Sequence, residues 1–440
     1  MSRSTMSRSF DVIVIGAGAA GLAASDVLSR AGRSVVVLEA RDRVGGRCWS
    51  LSEPGLPVPI ELGAEFIHGR SPATFSLLER AGAAAVDRTG EGWYIERGKF
   101  KPMGEIFAGV RSAIRKAGPP RKDVSFETYL RRDLRHVPEQ LRSFARRRVE
   151  GYEGADPTRA SARTMIEEWA SEDEATGQSH YRPLGGYGPL LDWLAGSLDR
   201  DRVSLQLRTV VRAVHWRRGR VEIDAVAGGE PVRIRARRAV ITLPLGILQQ
   251  PRNAPDGVRF SPPLNSKRAA LRGLAPSQVV KVALRFRSAF WENSGGGRYA
   301  DAAFLRVLGA PFPSFWTALP VHVPLLIGWA GGPNASRLTG AGAPEIIRRA
   351  EASLKIAFGR RAQRSEAAYV HDWQRDPFAK GAYSYVTVGG AGARKALAEP
   401  LARTLYFAGE AADFEGENGT VAGALQSGRR AALRILGRDR

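Results

Sequence analysis

An apolar strand that runs into three spaced glycines, a helix, a second strand and an acid leaves a chain few ways to fold. Residues 12–15, Val-Ile-Val-Ile, are a short β-branched run of the kind that fills a parallel strand buried on both faces. Gly16, Gly18 and Gly21 follow, then a helix-compatible stretch from about residue 22 to 31. Gly16 permits the tight turn, Gly18 lets backbone amides approach a pyrophosphate, and Gly21 lets helix and strand pack closely. Ala19 and Ala20 lie between these glycines and are candidate cofactor-binding residues, and the phosphate is expected at the helix N-terminus, where unpaired N–H groups and the helix dipole favour negative charge. A second strand over residues 34–38 ends in Glu39, placed to accept hydrogen bonds from ribose hydroxyls. Strand, glycines, helix, strand and acid in this order specify a dinucleotide-binding unit rather than a chance glycine-rich turn. The acid favours an unphosphorylated ribose, so NADP is not expected. FAD and NAD both remain open on this stretch alone.

Arg43-Val-Gly45-Gly46-Arg47 follows at once and argues for FAD. A second glycine pair just past the ribose acid can touch the same pyrophosphate, and Arg47 offers a forked pair of donors to phosphate oxygens. With these residues in view, the run Glu39-Ala40-Arg41 through Arg47 resembles the flavin-containing amine oxidases. That family comprises the monoamine oxidases, the polyamine oxidases and the lysine-specific histone demethylases. Phytoene desaturases and protoporphyrinogen oxidases share this N-terminal part, so it does not by itself fix the reaction.

The resemblance runs through nearly the whole length. Glu61-Leu-Gly63-Ala64-Glu65-Phe-Ile-His68-Gly69 is similar to the family segment that passes beside the flavin ring, which implies His68 at the substrate channel. Arg208-Thr-Val-Val211-Arg resembles the strand whose valine meets the adenine, and residues 239–248 resemble the strand and turn that leave the FAD domain. Lys281, in Val279-Val-Lys-Val, matches the family lysine that holds a water against flavin N5. Trp373 to Tyr385 is similar to the polyamine-oxidase and demethylase stretch that adds a tyrosine, here Tyr383, to the substrate wall. In Tyr406-Phe-Ala-Gly409-Glu410 the resemblance implies that the glutamate holds the ribityl or pyrophosphate region. Thr420 and Val421 then begin a helix aimed at the flavin pyrimidine end. Covalently flavinylated members carry a cysteine in this C-terminal stretch. The single cysteine here is Cys48, so non-covalent FAD is expected. The chain has no room for the long helical insertion of the histone demethylases. Its acidic loop, Asp413 to Glu417, matches no one subfamily.

The reaction implied is removal of two electrons from a C–N bond of a small-molecule amine, with O2 as the final acceptor and hydrogen peroxide as product. The flavin carries this chemistry, and the protein supplies position, dryness and electrostatics. Lys281, His68 and Tyr383 are the candidate catalytic residues. Without the resemblance each has a plainer role: a surface lysine with a buried stem, a structural histidine and a core aromatic. An L-amino-acid oxidase is the nearest rival and needs an arginine clamp for the substrate carboxylate. A carotenoid or porphyrin desaturase comes next. The rival from another class is a protein that keeps FAD structurally and docks elsewhere.

At 440 residues the chain can bury a large core, and 43% hydrophobic with 25% charged residues is ordinary globular composition. The expected fold is α/β, a discontinuous Rossmann-like FAD-binding domain from residues 1–70, 184–262 and 368–440. An α+β substrate-binding domain of helices over a small sheet is inserted as residues 71–183 and 263–367. No apolar run reaches the roughly 18 residues of a membrane helix. The residues before the first strand are too short and polar for a secretory leader. One cysteine suits a reducing compartment, so a cytoplasmic protein with no membrane partner is expected. No metal site is expected. The net charge of +22 rests on 57 arginines and 9 lysines, including Arg146-Arg-Arg148 and Arg235-Ala-Arg237-Arg238. These are spread along the chain with no nucleic-acid motif, so solvated surface is expected rather than nucleic-acid binding. Two acidic clusters, Glu167-Glu168 with Glu172-Asp173-Glu174 and Asp413 to Glu417, are candidates to attract a cationic amine.

Overall fold

The computed structural model describes residues 9–175 and 179–438, and the side chains of residues 171–175 lie outside that description. The acids Glu172, Asp173 and Glu174 therefore fall outside the described side chains. The apolar run at the start forms the strand Ser9–Ile15, and Val12, Ile13 and Val14 are fully buried. It lies between the strand Val35–Leu38 and the long strand Glu230–Ile241, parallel to both. Val203–Gln206 extends the parallel order on one side, and Leu405–Phe407 pairs in parallel with the end of Glu230–Ile241 on the other. The start of Glu230–Ile241 pairs instead with the antiparallel strand Arg220–Ala227, which pairs with Thr209–Arg217. One 12-residue strand thus joins a parallel Rossmann-like layer to an antiparallel extension. The fold is α/β.

Two glycines set the first turn. Gly16 has φ +105°, in the region that favours glycine, and turns the chain out of the sheet. A Cβ on Gly21 would lie 1.9 Å from the Gly16 carbonyl oxygen, so no larger residue allows the helix Ala19–Arg30 to sit this close to its strand. The helix Val421–Leu436 packs along it, with Leu425, Ala431 and Ala432 in the shared core. Both helices direct their N-termini to the same cleft, which Ala19 and Val421 line.

The second layer is larger than the small sheet expected from the sequence. Seven strands align in the order Ala367–Asp372, Val279–Arg285, Leu325–Gly331, Ser314–Thr317, Ala302–Val307, Glu91–Glu96 and Lys99–Pro102. Its size was not visible because its strands come from three separated parts of the chain, and Glu91–Glu96 pairs with Ala302–Val307. Val279–Arg285 has a neighbour on each edge, and Val279 through Leu284 are all buried. The helix Ala343–Phe358 covers one face. The helices Met103–Ala117, Phe126–Arg132, Glu139–Gly151 and Ala162–Ala175 form a separate cap around Phe126, Tyr129 and Phe144.

Candidate active site

One cleft runs from the first βαβ unit to the edge of the second sheet. At its nucleotide end it is lined by Gly16, Gly18, Ala19 and Ala20 from the first turn, and by Gly45, Gly46 and Arg47 from the second glycine pair. Gly18 and Gly45 meet as a backbone bridge, so the two glycine segments form one floor. The helix Ala19–Arg30 has no side-chain cap, which leaves first-turn amides directed at the cleft for an anionic group. Gly21 does not line the cleft; its role in this geometry is the close packing described above. Glu39, Ala40 and Arg41 line the next stretch together with Val211 from the strand Thr209–Arg217, whose Thr209 amide donates to the Glu39 carbonyl at 2.8 Å. The Glu39 carboxylate accepts hydrogen bonds from the Ala17 amide at 2.8 Å and the Arg41 amide at 2.9 Å. Burial pushes it up from the ordinary carboxylate range, against those two amides. Arg41 reaches across to Asp376 at 2.6 Å, which ties the ribose side of the cleft to the segment after Trp373.

At the far end the cleft is lined by Gly63, Ala64, Trp373, Gly409, Glu410, Thr420 and Val421. Glu410 is buried and pairs with Arg47 at 2.9 Å, and its other oxygen accepts from the Ser384 hydroxyl at 2.7 Å. Arg394 in turn donates to that hydroxyl at 2.7 Å. The charges that border this end are thus compensated before any ligand arrives. Thr420 caps the helix Val421–Leu436 by accepting from the Gly423 amide at 3.0 Å. Trp373 donates its indole N–H to the Leu62 carbonyl at 2.9 Å, which fixes its ring at the wall.

Tyr383 also lines this end and donates its hydroxyl to the Tyr152 carbonyl. Burial and the neighbouring carboxylate of Glu153 hold it well above the ordinary tyrosine range, so it remains a neutral phenol. Trp329 faces it, with ring centroids 6.4 Å apart and planes inclined by 13°. The Trp329 indole is held by the Gly151 carbonyl at 2.7 Å. Trp329 was not among the candidates read from the sequence. Its position follows from strand register, which sets it directly opposite Lys281.

Lys281 is fully buried and does not border the cleft itself. Its Nζ donates to the Gly63 carbonyl at 3.1 Å and to Glu65 Oε2 at 2.8 Å, so one cleft-lining residue separates it from the open space. Glu65 was expected beside the cofactor, and its carboxylate instead sits behind the wall. There it accepts from Trp316 Nε1 at 2.9 Å and from Arg182 Nε at 3.1 Å as well as from Lys281. Burial works against the carboxylate, yet Lys281 and Arg182 outweigh it and keep Glu65 below the ordinary range.

With this geometry established, the chain can be compared with known proteins. Residues 19–436 match the model of the family described as flavin containing amine oxidoreductase. The chain belongs to the flavin-containing amine oxidoreductases. It is 28% identical to lysine-specific histone demethylase 1 homolog 3 of Arabidopsis thaliana over 97% of its own length, and spans only 30% of that protein. It is 26% identical to putrescine oxidase of Kocuria rosea, with 97% of this chain and 95% of the relative aligned. Among solved structures, cyclohexylamine oxidase from Brevibacterium oxydans IH-35A superposes with a TM-score of 0.80 at 25% identity, covering 98% of this chain and 99% of that one.

The cofactor of this family member is FAD, and the cleft fits it. A glycine floor with free helix amides suits a pyrophosphate, a buried acid suits a ribose, and the apolar far end suits a flat ring. Cys48 lines the cleft on the nucleotide side, where burial pushes its thiol up to about 12, so it is a weak nucleophile.

His68 lies off the cleft lining, one step beyond the aromatic wall. It stands directly across an antiparallel pair from His180, with Nδ1 to Nδ1 at 3.1 Å, and the Tyr152 hydroxyl is 3.2 Å from His68 Nδ1. Burial and then the charge of Arg148 bring His68 down to about 4. Burial, His68 and Arg88 bring His180 down to about 3. Both rings are neutral near neutral pH and act as hydrogen-bonding groups. His180 was not found from the sequence because only the strand pairing brings it to His68. The acidic loop is largely occupied with structure. Glu415 pairs with Arg430 at 2.9 Å, and Asp413 is fully buried, 3.5 Å from the same arginine and accepting from the Glu417 amide. Those contacts pin the loop to the helix Val421–Leu436 and leave Glu415 a poor lure for a cationic amine. Among the described residues no helix is long and apolar enough to cross a membrane.

Proposed function

We propose that this protein is an FAD-dependent amine oxidase of small amines, working in the cytoplasm on the polyamine-oxidase side of its family. The observation that carries the reading is the parallel pair Trp329 and Tyr383 at the ring end of the FAD cleft, one residue from a buried lysine. The chemistry FAD supplies when bound is oxidation of the carbon next to an amine nitrogen, with electrons passing to O2 and hydrogen peroxide released. Gly16, Gly18, Ala19, Ala20, Gly45, Gly46 and Arg47 would hold its pyrophosphate, Glu39 its ribose and Val211 its adenine. Gly63, Ala64, Trp373, Gly409, Glu410, Thr420 and Val421 would border the ring and ribityl chain. The cofactor domain would comprise residues 1–70, 184–262 and 373–440 rather than 368–440, because the strand Ala367–Asp372 belongs to the second sheet, and the rest would shape the substrate chamber.

The remaining steps belong to side chains of this chain. Trp329 and Tyr383 would present an aromatic wall at the ring end of the cleft that orients the amine and helps to exclude water from its reacting carbon. Electron-rich faces also attract a cationic amine before it is deprotonated. The amine must lose its ammonium proton to free the lone pair that drives hydride out. The neutral His68 and His180 add no positive charge that would repel it. Lys281 holds a fixed cation behind Gly63, which would stabilise negative charge developing at that wall of the cleft as electrons pass to O2. Hydrolysis of the resulting imine yields an aldehyde or ketone.

An anaerobic absorbance scan tests this with spermine, spermidine, putrescine, cyclohexylamine, benzylamine and several L-amino acids. Bleaching of the yellow protein by an amine without a carboxylate is expected, followed by recovery with peroxide release when air is admitted. Bleaching by L-amino acids alone, or by no member of the set, overturns the proposal.

A further inference from the structure

Lys281 stands in the interior of a seven-stranded sheet, where an ammonium without a counter-ion is costly by several kcal/mol. The contact that compensates it is unusually complete. Both Glu65 oxygens are used: Oε2 by Lys281 at 2.8 Å and Trp316 at 2.9 Å, Oε1 by Arg182 at 3.1 Å and Trp316 at 2.9 Å. Arg182 is itself fixed by the Thr317 carbonyl at 2.8 Å and the Leu319 carbonyl. Glu65 therefore has one available position, and that position determines where Lys281 points.

We propose that Glu65 is the positioning residue for Lys281, holding its ammonium charged and pinned against the Gly63 carbonyl at the wall of the FAD cleft. The inference rests on Lys281 lying beside the bound flavin, as in the function proposed above. It assigns Glu65 a task that does not involve touching the cofactor. Arg182 and Trp316 serve to keep the carboxylate in place. Four charged or titratable groups face Lys281 from the elements around it. Glu61 and Glu65 come from the segment beside Gly63, Arg182 comes from His180–Pro183, and His371 is its register partner on Ala367–Asp372. Replacing Glu65 with Gln leaves two buried cations with no carboxylate between them. Burial disfavours the charged form of a lysine that has lost its counter-ion. Lys281 should then release its proton within the range where the holoenzyme can be handled.

The test follows the visible absorption of the FAD-loaded protein, without substrate, between about pH 6 and 10. A charge beside the ring perturbs that band. Lys281→Met is expected to shift the band at all pH values, and the wild type is expected to show no Lys281-dependent step. Glu65→Gln is expected to show a one-proton step that Glu65→Gln/Lys281→Met abolishes and Glu65→Asp does not show. Should Glu65→Gln fail to fold, Glu65→Gln/Arg182→Met removes one charge of each sign and is expected to show the same step. A Glu65→Gln spectrum without the step overturns the proposal. So does a step that survives in Glu65→Gln/Lys281→Met, since it belongs to Glu61 or His371. An unmoved band in Lys281→Met overturns the placement of Lys281 beside the flavin, and the Glu65 proposal with it. A moved band with no step in Glu65→Gln overturns Glu65 alone.

Discussion

At the scale of a residue, Lys281 shows what neighbours can do to a side chain. Its sequence setting of valines and leucine, taken without the family resemblance, favours a surface lysine with a buried stem. The structure buries it completely because Gly63, Glu65 and Trp316, with Arg182 behind them, arrive from far along the chain to cover the face it points from. Lys281→Met should slow flavin reduction or reoxidation at least tenfold, about 1.4 kcal/mol of barrier. FAD should stay bound, because the lysine does not line the cleft and reaches it only through the Gly63 carbonyl. Rapid-reaction traces of the two half-reactions check this, and unchanged rates in both would remove the lysine from the mechanism. The same logic limits what could be read in advance. Glu39, Arg47 and Glu410 stand in local patterns whose spacing carries their chemistry, and all three line the cleft. Trp329, His180 and Arg182 gain meaning only from strand register and ion pairing, which no local window contains. Glu65 stood in a recognisable segment, but its partners direct its carboxylate behind the wall.

At the scale of an element, the helix Ala19–Arg30 is held from two sides. A Cβ on Gly21 would meet the Gly16 carbonyl at 1.9 Å, and one on Gly428 would meet the Ala20 carbonyl at 2.1 Å. Neither obstacle is a flexible side chain, so the helix itself must move. Gly21→Ala is expected to cost about 1–3 kcal/mol of stability by overpacking. It should also weaken FAD binding, because moving the helix takes its N-terminal amides away from the floor. Melting of the cofactor-free protein and a fluorescence titration with FAD measure the two effects. Loss of stability with unchanged FAD affinity would separate helix placement from phosphate binding. The helix was legible in type but not in its first turn: it begins at Ala19, ahead of the expected residue 22. Its N-cap is Gly18 with no capping side chain, so the usual polar start signal is missing. The seven-stranded sheet was less legible for a related reason. Its central strands, such as Val279–Arg285, are buried on both faces and its outer ones are not, and its order depends on pairings between distant segments.

Across the whole molecule, buried ionisable groups pull stability in opposite directions with pH. The charge excess is not all surface field, since Lys267, Lys281, Arg394 and Arg430 are among the buried residues. Glu61 is buried in the segment beside the cleft and accepts from the Tyr187 amide and the Ser50 hydroxyl, both at 2.7 Å. Burial nevertheless pushes it up to about 7 from an ordinary 4.5. The folded state therefore binds a proton that the unfolded state releases. Its contribution is present below 4.5 and is lost as pH rises through about 7. His68 and His180 behave oppositely, with folded values of about 4 and 3 against an ordinary 6.5. Their contribution is present above 6.5 and is lost as pH falls toward those folded values. Between pH 4.5 and 6.5 the two effects run against each other, which flattens the stability of the wild type in that window. Glu61→Gln mimics the protonated acid, so its melting temperature should gain on the wild type as pH rises through that window. A variant with both His68 and His180 changed to Gln should do the reverse and lose ground to the wild type as pH rises. Melting curves of all three proteins at matched pH values decide the matter. A Glu61→Gln curve parallel to the wild type would mean that Glu61 is already ionised throughout. The buried segment beside the flavin would then carry its full negative charge at Glu61 and Glu65 against Lys281 and Arg182.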